Sequence, residues 1–271
     1  MLMHPLFAIF LGIIQGITEF LPISSSGHLA LLEHYFKVPG AGLGFDILLH
    51  LGTVAALVAY FGRDWLAMGR SLVRPTSQNQ GERYLFFYLV VASIPGALAG
   101  VLLEQKAETL FRQPLRIALL LGSVGLLLLL GEMVARHHRA FSRLTIFDAV
   151  LIGLSQALAI MPWVSRSGIT MTCALFLGFT REAAARFSFL LATPILFGAG
   201  LHHLPKWFKS APEDLSVAAA ALGFLAALIS SYLTIKYLLR FLQRHTFKPF
   251  AFYRLGVMVL VLIVTFLYPG S

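Results

Sequence analysis

Six long apolar stretches leave this chain few ways to fold: Phe45–Phe61, Tyr84–Leu103, Leu115–Ala135, Phe187–Leu204, Ser216–Leu239 and Phe252–Tyr268. A bilayer's hydrocarbon core is about 30 Å thick, which an α-helix crosses in about 20 residues. Inside lipid every backbone N–H and C=O needs a partner, and a continuously apolar run supplies one by coiling on itself. Only 12% of the residues are charged, against about 25% in soluble domains, and the mean hydropathy is +0.81. The expected fold is an all-α polytopic membrane protein with six transmembrane helices, one membrane domain over residues 1–271 and no sizeable soluble one. The first, fourth and sixth stretches are short for a bilayer and should tilt little.

The net charge of +9 is explained by position. Arg63, Arg70, Arg74 and Arg83 follow the first stretch, Arg136, Arg139 and Arg143 the third, and Arg240, Arg244, Lys248 and Arg254 the fifth. The other connections hold Lys106 and Arg112, and Lys206 and Lys209. Basic residues mark cytoplasmic loops, so this alternation puts both termini outside. No basic patch with interleaved aromatics occurs, which excludes a nucleic-acid partner. Cys173, the single cysteine, forms no internal disulfide and reads as a packing residue. Met1–Pro5 lacks a basic leader region and reads as mature sequence.

Two further stretches are interrupted. Pro5–Leu21 breaks at Pro22–His28 and resumes as Leu29–Phe36; Ile146–Met161 breaks at Pro162–Gly168 and resumes as Ile169–Phe179. No piece is long enough to cross, so each pair is expected to form a re-entrant helical hairpin, its irregular backbone buried in protein or lining a wet cavity. The breaks match at an offset of 141 residues: Gly12 with Gly153, Gln15 with Gln156, Ser24 with Ser165, Ser26 with Ser167, Gly27 with Gly168. Pro22 and Pro162 are one step out of register. Combined with the orientation, this describes an inverted-topology internal repeat, one unit over about 1–135 and the other over about 146–271. Such folds place their sites near the midplane, where the breaks meet.

The breaks carry the chemistry. Gln15 and Glu19 share a helical face, and Ser24, Ser25, Ser26 and His28 follow; the second break offers Ser165, Arg166, Ser167 and Thr170. An intramembrane charge costs about 2.5–3.5 kcal/mol on insertion scales, so Glu19 and Arg166 are expected to pair, to function, or both. Each serine-rich turn leads into a short helix whose free N–H groups suit a phosphate. Capping accounts for one serine, not for three followed by His28. Arg166 can grip a phosphate bidentately, and His28 can move a proton or attack phosphorus. Phosphoryl transfer needs this kind of positioning and charge neutralisation.

The stretch Gly12–Leu29, with Gln-Gly-Ile-Thr-Glu-Phe-Leu-Pro-Ile-Ser-Ser-Ser-Gly-His, resembles the first signature of the bacitracin-resistance type of undecaprenyl-diphosphatase; Pro162–Thr170 resembles its second. The likeness extends through Arg186–Leu191 and Pro249–Arg254. It implies hydrolysis of undecaprenyl diphosphate to undecaprenyl phosphate and inorganic phosphate, recycling the lipid carrier of peptidoglycan synthesis and conferring bacitracin resistance. It implies catalytic roles for Glu19, His28, Ser25 and Arg166, with substrate contacts from Gln15, Ser24, Ser26, Gly27, Ser165, Ser167 and Thr170. It further implies a divalent cation, Mg2+ or Ca2+, on Glu19, a polyprenyl diphosphate lipid as substrate, and a bacterial inner-membrane protein whose site opens outward. A homodimer is carried as a candidate assembly. The sequence departs from the family pattern twice. Gln15 stands where many members have glutamate, which moves one role onto Glu19 alone. Trp163 replaces a glycine, and a bulky residue is expected to alter that turn because it avoids positive φ.

A transporter or flippase of a phosphorylated lipid would share the broken, inverted repeats; His28 beside Glu19 and Ser25 favours an enzyme. Asp46 and His50 are weaker candidates. Glu33, His137 and His138 read as solvated, and Trp65, Trp207 and Tyr268 as interfacial anchors.

Overall fold

The computed structural model describes residues 3–36, 43–110, 114–161, 163–209 and 215–267. Among them are ten α-helices and no strand: α1 (Pro5–Thr18), α2 (Ser25–Phe36), α3 (Leu43–Val73), α4 (Gln80–Leu110), α5 (Pro114–Val134), α6 (Ile146–Ala157), α7 (Arg166–Phe176), α8 (Arg181–Lys209), α9 (Val217–Leu242) and α10 (Lys248–Leu267). Six helices, α3, α4, α5, α8, α9 and α10, are long and apolar enough to cross a membrane, and they carry the six stretches read from the sequence. Pro162, Arg112 and Tyr268 lie outside the described residues, as do the side chains of Glu33 and Trp207.

The first and fourth spans are longer than expected, in helices of 31 and 29 residues. Arg63 and Arg70 ride on α3 instead of in a loop, because a long aliphatic stem lets a helical arginine carry its charge outward. Asp64 on α3 bonds Arg186 on α8 at 2.5 Å, so charge in these helices is paired.

Four helices are short: 14 residues in α1, 12 in α2, 12 in α6 and 11 in α7. At 1.5 Å per residue, α1 reaches only about 21 Å. The breaks are also narrower than the sequence suggests. Ser25 to His28 form the first turn of α2, and Arg166 to Gly168 that of α7. Local chemistry sets these boundaries. Pro5 opens α1, with His4 Nδ1 accepting from Leu6 N. Thr145 and Asp148 form a capping box at α6, with Asp148 held by Arg139 at 2.6 and 2.8 Å. Ser165 caps α7 by accepting from Gly168 N at 3.1 Å.

Packing fixes the direction of the short helices. Along α1, Gly12 meets Gly223 and Gly16 meets Ala227, so α1 runs parallel to α9. Along α6, Gly153 meets Ala92 and Gln156 meets Gly96, so α6 runs parallel to α4. Helices α3 and α8 touch between them, and α5 packs on α10. The approach of α1 to α9 has no room for a side chain: a Cβ on Gly12 would lie 2.4 Å from the Gly223 oxygen. Gly12→Leu should therefore lower the thermal midpoint of the purified protein, since overpacking costs about 1–3 kcal/mol. Gly69→Ala, where a Cβ meets nothing within 4 Å, should be neutral by the same measurement.

Candidate active site

Glu19 ends α1 as its C-cap residue, its N–H donating to the Gln15 carbonyl. The chain then turns sharply and re-enters helix at Ser25. Phe20, packed edge-on against Phe189 of α8 at 5.2 Å, anchors that turn in the core. The turn delivers Glu19 to the N-terminal ends of both α2 and α7. Arg166 Nη2 donates to Glu19 Oε1 at 2.7 Å, and Ser25 Oγ donates to Oε2 at 2.5 Å. Gln15 Nε2 adds a bond to Oε2 at 3.2 Å, and His50 Nε2 stands 3.7 Å from it. Four elements thus converge on one buried carboxylate.

Two polar atoms in this cluster are buried without hydrogen bonds, Arg166 Nη1 and Gln15 Oε1. Buried polar groups are usually satisfied, so these two atoms stand open to a bound ligand. The cluster presents one free cationic donor and one free acceptor beside a serine hydroxyl.

Other expected residues hold the frame. Ser167 donates to the carbonyls of Glu19 and Leu21 at 3.2 and 3.0 Å, lacing the breaks together. Thr170 bonds the Arg166 carbonyl at 2.8 Å and Ser188 at 2.7 Å, bracing the first turn of α7. Ser24 and Ser165 are alike: both have left-handed φ, +77° and +72°, and each sits beside the serine two positions on, at 3.4 and 3.2 Å. Gly27 is buried beneath the Trp163 ring, and Ser26 is exposed. His28 joins none of Glu19's contacts. Its Nδ1 meets the Ser24 carbonyl at 2.7 Å and its Nε2 the Tyr253 hydroxyl at 2.5 Å.

The reading of Trp163 needs correction. It adopts φ +73°, the conformation a glycine would take, instead of altering the turn to avoid it. Neighbours enforce that geometry: the indole lies on Gly27, and Arg254 Nη2 grips the carbonyls of Trp163 and Val164 at 3.2 and 3.1 Å.

Sequence reasoning missed Arg254, which it counted among loop charges. Arg254 is fully buried on α10. It also donates to Pro22 O at 3.2 Å and Leu121 O at 3.0 Å, so one guanidinium holds both breaks. The available signal was weak: Arg254 stands third in the Phe252–Tyr268 stretch, already inside an expected span. His137 is likewise not solvated; its Nε2 bonds the Glu132 carbonyl at 3.1 Å.

A lateral groove of about 1020 Å3 runs along the seam of α1 and α9. Its walls are almost wholly apolar, with Ile9, Ile13 and Ile17 one turn apart on α1 and Leu225, Ile229 and Leu233 on α9. Leu21, whose carbonyl Ser167 holds, lines it too, so the groove passes beside the Glu19 break.

A family model described as bacitracin resistance protein BacA matches residues 8–260. The chain belongs to that family. It is 49% identical over 262 residues to a protein of Moorella thermoacetica named undecaprenyl-diphosphatase, covering 96% of this chain and 97% of the relative. Proteins of the same name from Pelotomaculum thermopropionicum and Desulforudis audaxviator are 44% and 45% identical, over 257 and 262 residues. These alignments cover 94% and 96% of this chain, and 95% and 98% of those proteins. The two-break arrangement thus belongs to a BacA family chain matched along nearly its whole length.

Proposed function

We propose that this BacA family protein hydrolyses undecaprenyl diphosphate to undecaprenyl phosphate and inorganic phosphate, returning the carrier to peptidoglycan synthesis and opposing bacitracin. The observation that carries the site assignment is the Ser25–Glu19–Arg166 constellation. A carboxylate accepts the proton of a serine hydroxyl at 2.5 Å, beside an arginine with an unused N–H. Glu19 takes the Ser25 proton as Oγ attacks the terminal phosphorus, and the bond to the bridging oxygen breaks, releasing undecaprenyl phosphate. Water then attacks the serine phosphate, and inorganic phosphate leaves. Arg166 Nη1 and the N-terminal N–H groups of α2 and α7 neutralise the phosphoryl oxygens. His28 Nε2 is the second proton-transfer group, for the leaving phosphate. The groove beside Leu21 takes the polyprenyl tail, whose chemistry its apolar walls match.

A divalent cation suits the donors. Among the described residues no three His, Cys, Asp or Glu side chains are grouped to cage one. Mg2+, though, is commonly held by one or two carboxylates plus substrate phosphates, and the unused Gln15 Oε1 beside Glu19 is an oxygen ligand of that kind. Glu19 and Gln15 would hold the ion, which would add charge neutralisation at the diphosphate.

The same reading makes α1–α2 and α6–α7 re-entrant hairpins of an inverted repeat, residues 1–135 against 146–271. The opposite partners of α1 and α6, and the shared left-handed φ of Ser24 and Ser165, support it. Arg74, Arg139, Arg143 and Arg244 then mark the cytoplasmic face of the inner membrane, and α1 enters from the exterior, where the site opens.

Purified protein in detergent should release phosphate from undecaprenyl diphosphate and lose that activity on EDTA treatment. Ser25→Ala should lower turnover by about 10³-fold or more, as removing a covalent nucleophile does. Wild-type rates in Ser25→Ala would remove the serine ester from the scheme and leave Glu19 activating water. No release from folded, lipid-binding protein would sink the phosphatase reading and put a flux assay in liposomes next.

A further inference from the structure

His28 has a partner that the mechanism above does not use. Its Nδ1 lies 2.7 Å from the Ser24 carbonyl. A carbonyl only accepts, so Nδ1 carries a proton. Nε2 is therefore the one nitrogen of His28 that gains and loses a proton. That nitrogen faces the Tyr253 hydroxyl at 2.5 Å. The two rings lie nearly parallel, 14° apart, with centroids at 5.7 Å. Tyr253 comes from α10, far away in the chain, and is the immediate neighbour of Arg254. Arg254 fixes that part of α10 against Pro22 in the first break and Trp163 in the second. The phenol is thus held at a set distance from the break that carries His28.

We propose that Tyr253 is a positioning residue for His28, its hydroxyl holding the imidazole in the Nδ1–H form with its plane fixed. This rests on the functional reading of His28 given above. A hydroxyl suits the task because it both donates and accepts. It donates to Nε2 while His28 is neutral and accepts from Nε2–H once His28 is protonated. The ring can cycle through both states without turning, with Ser24 holding the opposite edge throughout. A histidine on a metal or in a triad depends on a similar outer partner to set tautomer and orientation. Here the roles are divided: the backbone at Ser24 sets the tautomer, and Tyr253 sets the plane and holds Nε2 until the leaving phosphate takes the place of its hydroxyl. The two rings also lie nearly parallel, centroids 5.7 Å apart, so the contact has an apolar part that phenylalanine would keep.

The test uses the full-length protein with 15N-labelled histidine, comparing wild type, Tyr253→Phe and Tyr253→Leu. The His28 signals are identified by their loss in His28→Gln. In the wild type, the His28 nitrogens should show a protonated Nδ1 and a hydrogen-bonded Nε2. Tyr253→Phe should keep the Nδ1 proton but move the Nε2 signal. Its kcat should fall about tenfold, at the lower end for loss of an orienting partner, with KM within about twofold and the acid limb of the pH–kcat profile displaced. Tyr253→Leu, which also loses the stacked ring, should fall further. An unmoved Nε2 signal in Tyr253→Phe, or an unchanged pH profile in active enzyme, would overturn the proposal. If the wild type released no phosphate, the functional reading would fail, while the nitrogen signals would still decide whether Tyr253 sets the state of His28.

Discussion

Glu19→Gln is expected to reduce phosphate release by about 10²- to 10⁴-fold, the range a positioned proton acceptor contributes. Glutamine matches glutamate in size and can still accept from Arg166, so the protein should fold and extract normally. What it loses is the ability to take the Ser25 proton that now points at Oε2 at 2.5 Å. The competing account is a structural ion pair holding the two breaks together, and the 2.7 Å contact to Arg166 gives it substance. The accounts separate in a double replacement. Breaking one side of a buried pair costs about 3–5 kcal/mol, whereas exchanging both partners for apolar residues of similar volume is often neutral. Glu19→Leu combined with Arg166→Met should therefore recover much of the thermal stability that either single replacement loses, and none of the activity. Recovery of phosphate release in the double variant would mean that the pair only holds the fold.

The six spans, the two breaks and the polar residues at them were legible because lipid penalises charge and unpaired backbone so heavily that exceptions stand out. Glu19, Arg166 and the serines are such exceptions, and the structure brings Ser25, Arg166 and Gln15 each onto the Glu19 carboxylate. The limits of the spans were less legible. Arg63 and Arg70 looked like loop residues because hydropathy falls where the helix continues. His50 could be suspected but not placed, since its approach to Glu19 depends on how α3 rotates against α1. Trp163 and Arg254 were misjudged for a shared reason. A positive φ at tryptophan costs about 1–2 kcal/mol by itself and is held only by an over-determined environment. That environment is Gly27 below the ring and Arg254 on the carbonyl, contacts that span much of the chain and that no local pattern encodes.

Arg254→Leu should be the most damaging single change outside the Glu19 cluster. The side chain is fully buried and donates to four backbone carbonyls: Leu121, Pro22, Trp163 and Val164. None is a carboxylate, so the charge is offset only by peptide dipoles, and its function is to hold the two breaks in register. Leucine would strand those oxygens. A hydrogen bond to a charged group contributes about 1.5–3 kcal/mol, while burying the guanidinium offsets part of that gain. A net loss of roughly 3–5 kcal/mol corresponds to a fall of about 10 °C in thermal midpoint for a chain of this size. Turnover should suffer separately, because a shift of about 1 Å between reacting groups can cost about 10²-fold, and Pro22 and Val164 lie close in sequence to Ser25 and Arg166. Arg254→Lys supplies the discriminating case. It keeps the charge and some donors but lacks the planar fork that reaches both breaks at once. Lysine should restore much of the thermal midpoint and little of the turnover. If Arg254→Lys recovered both in proportion, the arginine would be stabilising the fold without aligning the site; if Arg254→Leu changed neither, the clamp would have no role.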